Sequence, residues 1–322
     1  MISIITSAYN AELTLAQTIR SVLAQSCHNI EYLIVNHGST DSTSQIIDQF
    51  AAQDCRVKHL TIETNSRYIG RALNYALQFA KGEYIAFLDA DDTYEPSFLD
   101  VMLTNIEHGH LDLAVCGFHR VNECNKIIRT DTIGSSFLVS GPNGYNQLWQ
   151  QLLTASFGYL YVWWNKLYRR SFLDKNHLQF PEDSYVHGDA LFQAKLLAHM
   201  PRMYCSSDAL VNWRCVLGSS SYGTYKKGYY KEAADAAWAF SKLTERFLLD
   251  QNMQKSCCER LLFSLPHLQR LRYYQGSLSE QCSELIDWIT YPPYWNLVTK
   301  SGAQAKINQY LKTYIEEKLE EI

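Results

Sequence analysis

The chain has 322 residues, 47% of them hydrophobic, and a formal charge of −4 at neutral pH. That length can bury one large core or two smaller ones, and the charge lacks the basic excess of a nucleic-acid binder. Its nine cysteines form no CxxC pair and no Cys/His metal spacing, so they read as reduced packing residues of a cytosolic protein.

MISIITSAYN, at the start, has no basic n-region and reads as a strand rather than a leader. No apolar run approaches the length of a membrane span. Residues 2–6 predict a first strand, and Leu13, Leu15, Ile19, Val22 and Leu23 then recur at helical spacing. Residues 32–35 form the second strand, followed by Thr40 and Asp41 as caps for a helix carrying Ile46, Ile47 and Phe50. A strand at 57–62 and a helix at 71–80, stopped by Lys81-Gly82, complete the alternation. It predicts an open, doubly wound sheet, whose ligands bind beyond the carboxyl ends of the strands.

The fourth strand draws the most attention. Tyr84 to Leu88 is apolar without alternation, as in a strand covered on both faces. It stops at Asp89-Ala90-Asp91-Asp92, three carboxylates that repel one another unless a cation sits among them. Oxygen-only ligands suit Mg²⁺ or Mn²⁺, frequent companions of a diphosphate. The competing reading is an acidic turn in which Asp92 or Thr93 caps the next helix, with Pro96 in its first turn. Ser7, Asn36, His37, Asp89 and Asp91 all fall at predicted strand ends. No GxGxxG or GxxxxGK[ST] is present, so a dinucleotide dehydrogenase or P-loop enzyme fits poorly.

Beyond residue 105 come a strand at 112–121, a partner at 126–133, a helix at 143–154 and the aromatic run YLYVWWNKLYRRSF at 159–172. A buried helix begins just after His187-Gly188-Asp189, and a strand at 208–214 precedes the serine loop 217–221. Helices follow at 233–249, 255–274, 278–291 and 303–319, separated by Gly276, Pro292-Pro293 and Gly302. The amphipathic, partly basic stretch 260–272 suits either packing against the rest of the protein or rest on an anionic membrane.

The ordered set ISIITSAYNAE, SVLAQS, EYLIVNHGSTDST, ALNYAL and GEYIAFLDADDTYEPSFL resembles the family-2 inverting glycosyltransferases of bacterial surface-glycan type. The resemblance implies an α/β GT-A fold, a doubly wound mixed sheet flanked by helices. Residues 1–222 would form the catalytic domain, with a nucleotide-sugar half (1–105) and an acceptor half (106–222), and 223–322 a helical C-terminal region. It implies that Ser7 and Tyr9 receive the nucleotide base. Asn36-His37-Gly38-Ser39 stands in place of Asp-Asp-Gly-Ser, with His37 where an aspartate reads uracil. Asp89 is the first acid of the DxD motif, touching ribose or metal, and Asp91 the acid that binds Mn²⁺ or Mg²⁺.

Arg71 is a candidate for the diphosphate, or else a solvated helix-face arginine. Trp163 and Trp164 are candidates for stacking on an acceptor sugar, and Asn165 and Lys166 for its hydroxyls or phosphate, against a reading as plain core. Asp189 takes the general-base position, with Gly188 replacing the usual glutamate and Glu182 and Asp183 as rivals. Arg214, Ser219 and Ser220 are candidates for closing over the diphosphate. The implied reaction moves a hexosyl or N-acetylhexosaminyl group from a UDP-sugar to a hydroxyl of a glycan or lipid-linked glycan. The implied setting is cytoplasmic, with peripheral contact at the inner face of the plasma membrane. Two other classes stay open. A non-catalytic carbohydrate- or partner-binding scaffold is favoured by the changes at His37 and Gly188. A sugar nucleotidyltransferase is disfavoured because residues 7–12 lack its glycine- and lysine-rich loop.

Overall fold

The computed structural model describes residues 1–156, 158–184, 187–215, 229–247, 250–264 and 277–320. The chain divides into two compact units, Met1–Gly223 and Thr224–Ile322.

In the first unit, strands rich in Ile, Val and Leu become the centre of one mixed sheet. β1 (Ile2–Ala8) lies between β2 (Ile30–His37) and β4 (Tyr84–Phe87), and β3 (Val57–Ile62) pairs with β2, all parallel. Every residue of β2 and β4 is buried, as their unbroken apolar character requires of strands covered on both faces. α1 (Leu15–Leu23), α2 (Thr43–Gln53) and α3 (Ile69–Leu77) make the crossovers. α2 starts after Asp41, whose carboxylate accepts the Thr43 N–H at 3.0 Å.

Past β4 the sheet changes character. β9 (Lys166–Arg169) runs antiparallel between β4 and β6 (Leu113–Val121), and β10 (Met203–Arg214) lies parallel to β6. The main order is β3-β2-β1-β4-β9-β6-β10-β5, where β5 is Thr93–Tyr94. β7 (Ile127–Asp131) pairs with β6, and β8 (Phe137–Val139) with β10. α4 (Phe98–Glu107), α5 (Gly141–Leu152), α6 (Gly158–Tyr161), α7 (Arg170–Lys175) and α8 (Gly188–Ala198) complete this unit. β2 and β4 flank β1 on opposite sides, so consecutive crossovers diverge there and leave a crevice at the carboxyl ends of β1 and β4. The aromatic run 159–172 folds as helix, strand and helix.

The second unit is helical: α9 (Tyr229–Phe247), α10 (Gln251–Ser264), α11 (Leu278–Thr290), α12 (Pro292–Ser301) and α13 (Gln304–Glu320). α12 sits where the sequence reading had only a separator. Pro292 and Pro293 occupy its first turn, where a missing N–H costs nothing, and Tyr294, Leu297, Val298 and Ser301 form its buried face. Ser277 and Glu280 form a reciprocal capping box on α11. Of the basic stretch 260–272, Leu261 and Leu262 are buried core residues of α10, and 265–272 lies outside the described residues. Among the described residues no helix is long and apolar enough to cross a membrane.

Candidate active site

The turn after β4 is strapped to α1 from below. Thr14 Oγ1 donates to the Ala90 carbonyl at 2.9 Å, and Thr18 Oγ1 lies 3.0 Å from that oxygen and 2.8 Å from the Asp92 carbonyl. The Asp92 N–H closes the turn on the Asp89 carbonyl at 3.2 Å. Three carboxylates are thereby held in one small volume. Asp91 is solvent-accessible, Asp89 half-buried and Asp92 buried.

Desolvation dominates the electrostatics of all three. It pushes the Asp89 carboxyl up to about 7, helped by the charges of Asp91 and Asp189 and opposed by a hydrogen bond from Trp163. Asp91 is raised by desolvation, with Arg214 pulling it back. Asp92 is raised well above its ordinary value, by burial and then by Asp91 and Asp89. Asp92 caps no helix, which corrects that expectation. Its Oδ1 accepts the backbone N–H of Arg214 at 2.8 Å, tying the turn to the end of β10, and its Oδ2 has no partner among the described residues. α4 begins at Phe98 after Ser97 and has no side-chain cap.

On the other flank of β1, Ser7 pairs in register with Val35 and Ala8 with Asn36, so Ser7 and Asn36 both lie at the carboxyl ends of neighbouring strands, one position out of register. Tyr9 is 51% exposed just beyond. Asn36 Oδ1 accepts the Ser39 N–H at 3.1 Å and shapes the loop. Gly38 takes φ +70°, and a Cβ there would meet Asn65 N at 2.4 Å, so two requirements select glycine. His37 is 3% exposed. Its Nε2 accepts the Ser66 N–H at 3.2 Å, which puts the ring proton on Nδ1. Burial, then the Arg71 charge, hold His37 below its ordinary pKa. Arg71 is exposed on α3, over the Tyr68 ring, with Nε 3.3 Å from the Glu182 carbonyl.

The residues expected to meet an acceptor divide sharply. Trp164 is 3% exposed and packs edge-on to Phe118 at 4.9 Å. Asn165 is fully buried and donates to the carbonyls of Cys116 (2.6 Å) and Tyr159 (3.0 Å). Lys166 Nζ donates to the carbonyls of Tyr159 and Val162 and to Asn165 Oδ1, at 3.2, 2.5 and 2.7 Å. Burial pulls that ammonium down to about 7, and the three acceptors account for its tolerance inside the fold. In this arrangement Trp164, Asn165 and Lys166 hold β9 and α6 together, the core role rather than the acceptor role. Trp163 is buried too, but its indole N–H donates to Asp89 Oδ1 at 2.9 Å.

Asp189 is the second residue of α8, half-buried, with Oδ1 accepting the Ala190 N–H at 2.7 Å. His187, not Asp189, holds the N-cap position. The charge of Asp189 acts on Asp89, so residues a hundred positions apart share one electrostatic unit. Of the rival bases, Glu182 accepts from Asn74 Nδ2 at 2.9 Å, while Asp183 is exposed. Arg214 ends β10 beside the acids, and Ser219 and Ser220 lie outside the described residues. The Trp163–Asp89 bond and the anchoring of Asp92 escaped the sequence reading because each joins segments more than seventy residues apart.

The model of the family Glycosyl transferase family 2 matches residues 3–176. The Bacillus subtilis (strain 168) glycosyltransferases EpsH and EpsJ are 27% and 26% identical over 78% and 66% of this chain. Those alignments cover 70% and 61% of the relatives' own lengths. S. aureus TarS 1-349, solved in complex with UDP-GlcNAc, superimposes with a TM-score of 0.63 at 21% identity, over 95% of this chain and 91% of that one. TarS shares the mixed sheet and its flanking helices, and so the GT-A fold. With more than half of its length matched, the chain belongs to glycosyl transferase family 2 and is a glycosyltransferase.

Proposed function

We propose that this protein transfers a sugar from a UDP-sugar to a hydroxyl of a glycan or glycoconjugate acceptor, with inversion at the anomeric carbon and with a divalent cation. The observation that carries the reading is the chain of contacts from the acidic turn after β4 to α8, the helix of Asp189: Trp163 donates to Asp89 and packs on Phe180, which stacks on Phe192 of α8. Inverting transfer needs a base on one side of the anomeric carbon and stabilisation of the leaving diphosphate on the other. UDP is the first nucleotide to test because TarS was solved with UDP-GlcNAc.

Ser7, Tyr9, Asn36 and His37 form the proposed base and ribose edge, and Arg71 and Arg214 are the cations near the diphosphate. Asp189 takes the proton from the acceptor hydroxyl as its oxygen attacks opposite the leaving group. The C–O bond to the acceptor forms, the bond to the diphosphate breaks, and the proton rests on Asp189.

The acids fit a divalent cation. Desolvation raises all three carboxyls, neighbouring acids add to it at Asp89 and Asp92, and a buried oxygen of Asp92 lacks a partner among the described residues. Among those residues no three His, Cys, Asp or Glu side chains form a ready cage. That suits Mg²⁺ or Mn²⁺ held by one or two carboxylates plus substrate phosphates. Asp91, with Asp89, would hold it, and when bound it neutralises charge on the leaving nucleoside diphosphate.

The test is thermal unfolding of the full chain with UDP, GDP, dTDP and CMP, each with and without Mn²⁺. A rise in melting temperature with UDP that requires Mn²⁺ is expected. A rise with another nucleotide alone would reassign the donor, and no rise with any would overturn the reading.

A further inference from the structure

The Trp163 side chain connects more of the site than its sequence context announces. Its ring is fixed edge-on to Phe180 at 5.4 Å. Phe180 is clamped to α3, since Asn74 Oδ1 accepts its N–H at 2.9 Å and Asn74 Nδ2 donates to its carbonyl at 3.0 Å. Phe180 also stacks on Phe192 of α8 at 3.9 Å. The Trp163 carbonyl accepts the Tyr168 hydroxyl at 3.1 Å, and that hydroxyl in turn accepts Gln193 Nε2 at 2.6 Å. Gln193 lies four residues after Asp189 on α8, hence on the same face of the helix. Tyr168 and Gln193 are both buried, so water does not compete for these bonds.

An indole offers one donor and no acceptor. Trp163 points that donor at Oδ1 of Asp89, which leaves Oδ2 as the oxygen open to a cation or a ribose hydroxyl. We infer that the Trp163 side chain is a positioning group that sets the orientation of the Asp89 carboxylate and, through Phe180 and Phe192, ties it to the helix carrying Asp189. This rests on the donor reading proposed above. Groups that orient a metal-binding carboxylate commonly contribute tenfold or more to metal affinity. A tryptophan that only fills space would contribute to stability alone.

The experiment is calorimetric titration of UDP in Mn²⁺ into the full chain, comparing the unsubstituted protein with Trp163→Phe. The expected result is a loss of about tenfold in Mn²⁺-dependent UDP affinity. In an Asp89→Ala background the same substitution should cause no further loss, because the acceptor of the indole N–H is already gone. An equal loss in both backgrounds, or none in either, overturns the assignment. Should Trp163→Phe not fold, the sulfur isostere benzothienylalanine at position 163 keeps the ring shape and removes only the N–H, with the same expectations. If the unsubstituted protein shows no Mn²⁺-dependent UDP binding, the donor reading itself fails. If it binds UDP and the isostere binds equally well, only the role of Trp163 fails.

Discussion

Asp189 sits in the first turn of α8, and its Oδ1 is already engaged with the Ala190 N–H. Asparagine would keep that acceptor and lose the basicity. Asp189→Asn is therefore expected to leave Mn²⁺-dependent UDP affinity within about twofold and to lower turnover by roughly 10²–10⁴, the usual worth of a general base. Turnover within about threefold of the unsubstituted protein would assign the base elsewhere. His37 gives a second test. Its neutral ring accepts the Ser66 N–H, and burial and Arg71 hold its pKa below 6.5. A group whose folded pKa is depressed contributes stability that is present above its unfolded value and lost as pH falls through the folded one. The difference in unfolding free energy between the unsubstituted protein and His37→Asn should then shrink as pH falls from about 7 to about 5. A difference that stays flat over that window would show that His37 does not titrate with folding.

Among the elements, α3 has the tightest seat. Gly70 lies in its first turn, where a Cβ would come within 2.1 Å of the Pro181 carbonyl oxygen. The same segment is clamped one turn later by Asn74, through Phe180 and Glu182. Gly70→Ala must push the backbone of 180–182 away, and overpacking of this kind costs about 1–3 kcal/mol. Chemical denaturation should show that loss, and an unchanged midpoint would mean that the segment yields freely. The end of β4 illustrates a different point. Asp89, Asp91 and the apolar run before them were legible because burial on both faces leaves a local signature. The role of Asp92 was not, because its partner is the Arg214 backbone on β10, and helix-cap chemistry is the only local alternative that composition offers. For Asn165 and Lys166 the sequence leaves an acceptor role and a core role both open for the same reason: polar side chains in an aromatic run look available until the carbonyls that receive them are in view.

At the scale of the molecule, every described residue of the proposed site belongs to the Met1–Gly223 unit, which has its own sheet, flanking helices and core. We propose that this unit is the catalytic domain. Expressed alone as residues 1–223, it is expected to unfold in one cooperative transition and to keep Mn²⁺-dependent UDP binding within about threefold. A fragment that is folded yet blind to UDP would mean that the helical unit contributes to the donor site.

Local pattern determined the βαβ alternation, the buried parallel strands, the acids at their ends and the helical C-terminal region, because each has a period or a stop signal within a few residues. Only the tertiary structure decided that β9 runs antiparallel between β4 and β6, and that Trp163 turns to Asp89 while Asn165 and Lys166 turn inward. It also decided that Phe180 joins Trp163 to Phe192 on the helix that carries Asp189. Those facts depend on which strands become neighbours and on which buried donor meets which acceptor, and pairings across seventy or more residues leave no mark in the sequence on either side.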